Sequence, residues 1–583
     1  MDLLLENKIN TELRSIFKQL DLDEKFAFVK VSDRPDLSDF QCNGALALAK
    51  IAHKNPREIG TMIADELAKT EFCETVSVDG PGFVNIKLKN EFIAATVDKM
   101  EKDPRLGCGL VENPHKVVLD YGGPNVAKTM HVGHLRSGVI GESVSRIERF
   151  IGNDVTSDVH LGDWGTPMGM ILAEIIRQDG NLNRVFDYDI ARITEFYKQA
   201  NIRCKEDETA RENARIITAE LQNGNAEYRR AWQHLRNESI KAIRQNYEEL
   251  DVNFDLWWGE SDAHETCREV VKIARSRGIS ETDNGAEIIR LEESNKPKPP
   301  VILVKSDGGF GYQLTDIATI KMRKEQLGAQ EIVYFTDSRQ TLHFEQVFEA
   351  TQKLEIASNI KLQHIVFGTV NGADGKPFKT RDGGVMDLET LITMSKDKVR
   401  QSLPQPDEVA GYGATEIENL TRQIAVAAIK FQDLKNTIAS GYVFDLEDFA
   451  KFEGKTGPYI QYAVARINSV LRKAQQNGLV SGAAIIEAPE ERALALKLAQ
   501  VHNVVMRTHN EKEPSIIAEY AYNLAQIFST FYNACPIMNA GKPELSASRL
   551  KLAKLTRDIL KLMLYLLGIE APEIMLKAEN KGE

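Results

Sequence analysis

The chain reads as a multidomain α/β protein: a small α+β unit first, then a doubly wound parallel sheet carrying a helical insertion, then an all-α bundle. Three observations predict this. The 583 residues exceed what one hydrophobic core sustains, roughly 250–300 residues. A strand, a glycine-containing loop and an amphipathic helix follow one another from about residue 115, as in a β-α-β unit. After about residue 385 the apolar spacing is helical almost to the end.

In chain order, residues 1–112 form the small mixed unit. GALALAKIA (44–52) and PREIGTMIADEL (56–67) have helical spacing, with Pro56 as a start signal. ETVSVDGPGFVNIKL alternates about a Gly-Pro-Gly turn, as a hairpin does. KVVLDY (116–121) is an apolar run suited to a strand covered on both faces. Residues 130–151 then place Val132, Leu135, Val139, Val144, Ile147 and Ile151 near one helical face, with Gly152 as a stop. DVTSDVHL supplies the next strand. Residues 172–290 are polar and mainly helical, an insertion within the sheet unit of 113–385. PVILVK (300–305), EIVYFT (331–336) and HIVFGT (364–369) are predicted to resume the sheet. Residues 386–454 read as a helical connector and 455–583 as the bundle, with helices near 418–436, 457–475, 490–507, 513–533 and 546–567.

Composition narrows the class. No run approaches the ~18 apolar residues of a membrane helix. The opening MDLLLENKINTELRSIF lacks a basic segment and a cleavage-like site, so a cytoplasmic location is expected. Six cysteines stand singly, without a CxxC pair, which points away from zinc and from a disulfide framework. A net charge of −12 shows no global basic footprint, although phosphate contacts need only a local one.

The sharpest chemical signal is His131-Val132-Gly133-His134, opening the first helix after a buried strand. A helix start offers free N–H groups and partial positive charge to a triphosphate. Gly133 lets a flat base lie against the backbone, and two imidazoles one turn apart can donate to phosphate oxygens. A second segment, GADGKPFKTRDGG (372–384), crowds Lys376, Lys379, Thr380 and Arg381 into a glycine-rich stretch that can close over phosphates. Alone it would be a basic surface turn; paired with HxGH it becomes part of a site.

Together these segments resemble the HIGH and KMSKS elements of class I aminoacyl-tRNA synthetases. DYGGPNVAKTMHVGHLRSGVIGE, LGDWGTPMG (161–169), SDGGFGYQLTDIA (306–318), DSRQ (337–340) and KTGPYIQYAVARI (455–467) are similar to arginyl-tRNA synthetase motifs. NGALALAK and GPGFVNIKL resemble that family's extra N-terminal domain, and LLGIEAPEIM the close of its anticodon-binding domain. The resemblance implies a Rossmann-type, HUP-like catalytic domain that makes arginyl-adenylate from arginine and ATP·Mg2+, then charges tRNA(Arg). It also implies that tRNA binds before arginine is activated.

Carried onto this chain, the resemblance assigns His131, His134, Lys128, Lys376 and Lys379 to catalysis, and Gly133 with the histidines, Lys128 and Lys379 to ATP. Lys379 or Thr380 occupies the second-lysine position of the degenerate loop, and Lys128 matches a position that compensates for it. Asp120, Asn125, Tyr312, Asp316 and Gln340 fall to arginine, whose forked cation calls for carboxylates in bidentate reach. Tyr459, Gln461, Tyr462 and Arg466 fall to tRNA, by stacking and phosphate pairing. No zinc, no membrane and a monomer are expected. An editing domain is unnecessary, since lysine cannot match the fork. The rivals are an HxGH nucleotidyltransferase, usually much shorter, and a silent RNA-binding relative, which should lack the histidines or acids.

Overall fold

The computed structural model describes residues 5–34, 37–291, 298–372, 375, 386–404, 413–444 and 451–576. Helix α1 (Leu5–Gln19) packs its apolar stripe onto a first unit of four strands, β1 (Val29–Val31), β2 (Phe40–Cys42), β3 (Cys73–Asp79) and β4 (Phe83–Leu88). These pair antiparallel in the order β1-β2-β4-β3. Between them run α2 (Gly44–Ala52) and α3 (Pro56–Leu67). Asn55 accepts the Arg57 N–H and Pro56 fills the first helical turn, so α3 starts where the sequence signals it. The hairpin turn uses Gly82 at φ +133°, where a Cβ would lie 2.6 Å from the Pro56 carbonyl oxygen. Helix α4 (Asn90–Lys102) leads out of this unit.

The parallel sheet begins with β5 (Lys116–Asp120), crosses by α5 (Val132–Phe150) and returns as β6 (Asp154–Asp158) beside β5. The chain then leaves through α6 (Thr166–Asp179), α7 (Ile190–Glu206), α8 (Glu208–Gln222), α9 (Ala226–Glu249) and α10 (His264–Ser276), followed by β7 (Glu281–Asp283), β8 (Ala286–Ile289) and β9 (Val301–Val304). Helix α11 (Tyr312–Leu327) brings it back as β10 (Glu331–Asp337) on the other side of β5. Helix α12 (Thr341–Lys353) and β11 (Lys361–Phe367) complete the order β11-β10-β5-β6. Strand order therefore reverses between β5 and β10. In such sheets ligands bind in the crevice outside the carboxyl ends at that point.

Strand β9 corrects the sequence reading. PVILVK was expected to rejoin the parallel sheet, yet β9 pairs antiparallel with β8 in a separate three-stranded sheet. Burial explains the difference. Val301 and Leu303 are fully buried while Ile302 is 37% exposed, so β9 is covered on one face only. In β10, Ile332, Val333, Tyr334 and Phe335 are all buried, as a central parallel strand requires.

The chain continues through a short β12 (Val370–Asn371), α13 (Leu388–Ser402), α14 (Ala414–Leu434) and β13 (Tyr442–Val443), which pairs with β12. The final bundle holds α15 (Gly457–Gln476), α16 (Pro489–Leu498), α17 (Val501–Glu511), α18 (Ser515–Ala534) and α19 (Pro543–Leu566). The one helix expected over 490–507 is two, broken by a turn at Ala499 and Gln500. Among the described residues no helix is long and apolar enough to cross a membrane.

Helix α5 sits unusually close to the sheet because glycines face its neighbours. A Cβ on Gly141 would lie 2.1 Å from Tyr121 Cγ, and one on Gly138 would lie 2.7 Å from Tyr247 Cε1. Helix propensity alone would make Gly141→Ala stabilising. Steric overlap with the β5–α5 seam should win, costing about 1–3 kcal/mol. Thermal unfolding of the variant is expected several degrees below wild type, and an unchanged or higher melting temperature would contradict this packing.

Candidate active site

At the switch point, the loop after β5 turns through Gly122 (φ +95°), Gly123 (φ +52°) and Ala127, a non-glycine held at φ +63°. The Ala127 N–H donates to Ser239 Oγ of α9 at 3.0 Å, so the insertion holds the loop's shape. His131 is the N-cap of α5. Its Nδ1 accepts the Gly133 N–H at 3.0 Å, and His134 Nδ1 accepts the His131 N–H at 3.1 Å. The two rings stack with centroids 4.0 Å apart. A Cβ on Gly133 would lie 2.7 Å from His131 Cε1, so this glycine makes room for the chain's own histidine.

Those two bonds fix the chemistry of the pair. An Nδ1 that accepts a backbone N–H carries no proton, so each neutral ring holds its proton on Nε2. Burial pushes both rings down, and for His134 the adjacent His131 ring adds to it, to about 3. At neutral pH the motif therefore presents two uncharged Nε2–H donors beside the positive end of α5. Asp387 and Arg339 are near enough to act on the His131 ring with opposing effects. Lys128, which also acts on both rings, rests its ammonium 4.8 Å from the Tyr197 ring centroid.

The start of α13 locks onto the same place. Val132 N–H donates to Met386 O and Leu388 N–H to Met130 O, both at 3.0 Å, and Thr129 Oγ1 donates to Asp387 Oδ1 at 3.2 Å. Lys376, Lys379, Thr380 and Arg381 lie outside the described residues.

The acids lie on the α11 side of the sheet. Tyr312 and Asp316 sit one turn apart at the start of α11. Tyr312 is 61% exposed and stacks on His343, at 4.8 Å between ring centroids and 18° between planes. His343 Nε2 bonds Asp316 Oδ2 at 2.6 Å, leaving Oδ1 without a hydrogen-bond partner among the described residues. A cavity of about 420 Å³ beside Tyr312 is lined also by Trp164, His264, Cys267, Phe310 and Thr315; neither signature histidine lines it.

Asp120 is placed otherwise than the sequence led one to expect. Its Oδ2 accepts from Arg323 Nη2 at 2.7 Å, and the same nitrogen donates to Asp158 Oδ2 at 2.7 Å. All three side chains are buried. Asp120, expected within bidentate reach of a bound guanidinium, grips a guanidinium of its own chain through Oδ2. Burial raises the Asp120 carboxyl, and the Arg323 guanidinium beside it pulls the other way.

Asn125 is exposed in the loop after β5, its Oδ1 seated where a Cβ on Gly162 would lie 2.2 Å away. Gln340 is exposed just beyond β10. The LGD stretch serves as scaffold: buried Asp163 takes Arg236 Nε at 2.6 Å and both donors of Ser261.

In α15, Tyr462 is exposed, Tyr459 is half-buried against Tyr522, and the Arg466 guanidinium lies 4.3 Å from the Tyr532 ring centroid. Gln461 is a correction. It is fully buried and donates to Gln423 O at 3.2 Å and Glu570 O at 2.7 Å, so it anchors the chain's last segment and is closed to RNA. The residues missed from sequence are His343, Arg323, Thr129 and Asp387. Only Arg323, an arginine amid the apolar face of α11, left a trace there.

A doubly wound sheet with paired imidazoles opening the helix at its switch point defines a class I aminoacyl-tRNA synthetase, and residues 100–446 match the model of tRNA synthetases class I (R), catalytic domain. Residues 4–88 match the arginyl tRNA synthetase N terminal domain and residues 460–575 the DALR anticodon binding domain. The catalytic match runs past the expected boundary at 385 and takes in most of the connector.

The chain is 40% identical to the arginine–tRNA ligase of Alkaliphilus oremlandii over 99% of its length and 100% of that relative's. It is 42% identical to that of Hyphomonas neptunium over 98% and 100%. A crystal structure of arginyl-tRNA synthetase from Plasmodium falciparum superposes with TM-score 0.82 at 26% identity, covering 98% of this chain and 99% of that one. The chain belongs to the arginyl-tRNA synthetase family and is an enzyme of the arginine–tRNA ligase kind.

The tautomers and the low basicity are directly measurable. With 15N-labelled histidine, the His131 and His134 resonances should show neutral Nε2–H rings at pH 7, and His134 should stay neutral at pH 5. An imidazolium signal for His134 at pH 5 would overturn the assignment. The sign for stability follows: a buried His134 titrating near 3 rather than 6.5 takes up protons later than the unfolded chain. Its contribution is retained above about 6.5 and lost as pH falls toward 3.

Proposed function

We propose that the chain activates L-arginine with Mg·ATP and transfers the arginyl group to the 3′ end of tRNA(Arg). The observation that carries this reading is the pair of Nε2–H imidazoles at the positive end of α5, placed at the switch point of the sheet. In the first step the arginine carboxylate attacks the α-phosphate in line, the bond to pyrophosphate breaks, and arginyl-adenylate forms. In the second a terminal ribose hydroxyl of tRNA attacks the mixed anhydride, releasing AMP. No side chain becomes covalently attached. His131, His134, Gly133 and the helix end bind the phosphates and base, Lys128 adds charge from the α7 side, and Lys376 and Lys379 supply further cations.

Arginine is held at its forked end by Asp316, whose carboxylate His343 orients, with Tyr312 as one wall. Asn125 and Gln340 serve its amino and carboxylate ends. Asp120 contributes through the buried cluster it forms with Arg323 and Asp158, rather than through a direct grip. In the C-terminal helices, Tyr459, Tyr462 and Arg466 are the RNA contacts, and residues 1–112 contact the same tRNA. The enzyme acts in the cytoplasm as a monomer, without zinc.

Purified protein given ATP, labelled arginine and bulk tRNA should form acid-precipitable arginyl-tRNA, and none of the other nineteen amino acids should be charged comparably. Equal charging with another amino acid would defeat the reading. Within the site, Asp316→Asn removes a charge-assisted bond of about 1.5–3 kcal/mol, so the arginine KM should rise on the order of 10–100-fold. The ATP KM should barely move; a collapse of ATP use instead would place this acid elsewhere. His134→Ala should cost ~2.7–4 kcal/mol of transition-state stabilisation, read as a fall in kcat for adenylate formation.

A further inference from the structure

One buried cation plays no part in the binding and transfer steps above. Arg136 lies on α5 just beyond the signature histidines and is 1% exposed. Its Nε faces Asp433 at 3.3 Å from Oδ1 and 3.2 Å from Oδ2, a carboxylate of α14 that is itself fully buried. Its Nη1 donates to two main-chain carbonyls, Gly368 O at 2.9 Å and Ser440 O at 2.8 Å. The guanidinium also lies 5.2 Å from the Tyr442 ring centroid and 6.0 Å from that of Phe367.

These contacts tie together three pieces of chain far apart in sequence. The turn after β11 and the strap after α14 run against each other without side chains between them. A Cβ on Gly368 would lie 2.4 Å from Gly441 N, and Gly368 N–H donates to Ile438 O at 3.0 Å. Tyr442 N–H then donates to Thr369 O and Phe444 N–H to Asn371 O. Arg136 is the side chain that fastens this pair of straps to α5. The other described end of the basic stretch, Met386–Asp387, is fastened to the same helix start by the His131 bridge and Thr129. Both flanks of residues 376–385 are therefore tethered within the first turns of α5.

We propose that Arg136 is a positioning residue for the ATP step. Through Gly368 O, Ser440 O and Asp433 it sets where the β11–β12 turn stands relative to the Nε2–H groups of His131 and His134. Planarity matters here as much as charge. Nε faces the carboxylate while Nη1 reaches two carbonyls, with Nη2 buried unpartnered, a fixed spread that an ammonium on a flexible stem cannot reproduce. The pair also lies at full burial, where a merely stabilising ion pair is easily replaced by apolar side chains. Its value is then geometric, and displacement of the turn by about 1 Å would cost rate rather than binding.

The proposal rests on the ATP reading above, and the experiment separates the two. Arginine-dependent ATP–pyrophosphate exchange is measured with tRNA present, normalised to active sites by adenylate titration, for wild type, Arg136→Lys, Asp433→Asn and Tyr442→Phe. No exchange by wild type would sink the ATP reading itself. With wild type active, Arg136→Lys should lower kcat per active site roughly 10–100-fold, while the arginine KM stays within about twofold. Asp433→Asn, which keeps an acceptor, should retain more kcat. A kcat per site within about twofold of wild type in the variants that fold, with only melting temperature or active fraction reduced, would assign Arg136 to stability alone. Should Arg136→Lys fail to fold, the same split in Asp433→Asn and Tyr442→Phe decides between the two outcomes.

Discussion

The structure depends on burying most of α5 while it carries charge. The buried face of a helix is normally apolar, yet α5 buries Arg136, Glu142 and Glu148. Each is matched by a different part of the chain. Arg136 meets Asp433 of α14. Glu142 takes Arg146 at 2.6 Å, the Asn253 N–H at 3.0 Å and the Tyr121 hydroxyl at 3.2 Å. Glu148 takes Lys512 at 2.6 Å, His509 at 2.8 Å and Asn153 at 2.6 Å. Burial alone would raise the Glu148 carboxyl; the His509 bond and the Lys512 ammonium outweigh it and hold it low. Losing one partner of such a pair strands a charge, at about 3–5 kcal/mol. The helix that begins with the two imidazoles is thereby pinned to the insertion, to α14 and to the final bundle at once. A site that must hold donors to fractions of an ångström gains that rigidity from the body of the protein.

How much of this was legible in the sequence follows the physics of each feature. The β5–α5–β6 unit was readable because its apolar periodicity and Gly152 stop are local. The HxGH histidines were readable because a helix start after a buried strand is itself a chemical address. The reading failed where an outcome rested on distant partners. PVILVK is apolar enough for a buried strand, and only the covering on one face, absent from the string, sends it to a separate antiparallel sheet. Gln461 sits in a run of exposed-looking polar and aromatic residues, but its amide is claimed by a carbonyl more than a hundred residues away. His343 pairs with Asp316 across 27 residues, a spacing no motif announces. Gly133 and Gly141 look alike as small residues in a helix. One clears space for a histidine ring, the other for a tyrosine on the next strand.

The alternation of β5 separates the imidazole side of the sheet from the acidic side. Val117, Leu119 and Tyr121 point into the core that holds α5, whereas Val118 and Asp120 point toward α11. One strand thus ends in a loop that feeds the imidazole donors and in an acid that faces the other layer. The first side holds the helix end, Lys128 and Arg339, with Asp387 opposing the two cations at the His131 ring. The second side carries the acids: Asp316 and the Asp120–Arg323–Asp158 cluster both act on Tyr334 or lie against it. Arg323 leaves Nε and Nη1 buried without hydrogen-bond partners, a cost that an apolar residue would avoid. Its guanidinium bridges two converging aspartates at the strand ends and works against the burial that raises the Asp120 carboxyl. A lone pair of carboxylates at that depth would share a proton. With Arg323 between them, one nitrogen bonds both carboxylates and ties the ends of β5 and β6 to α11.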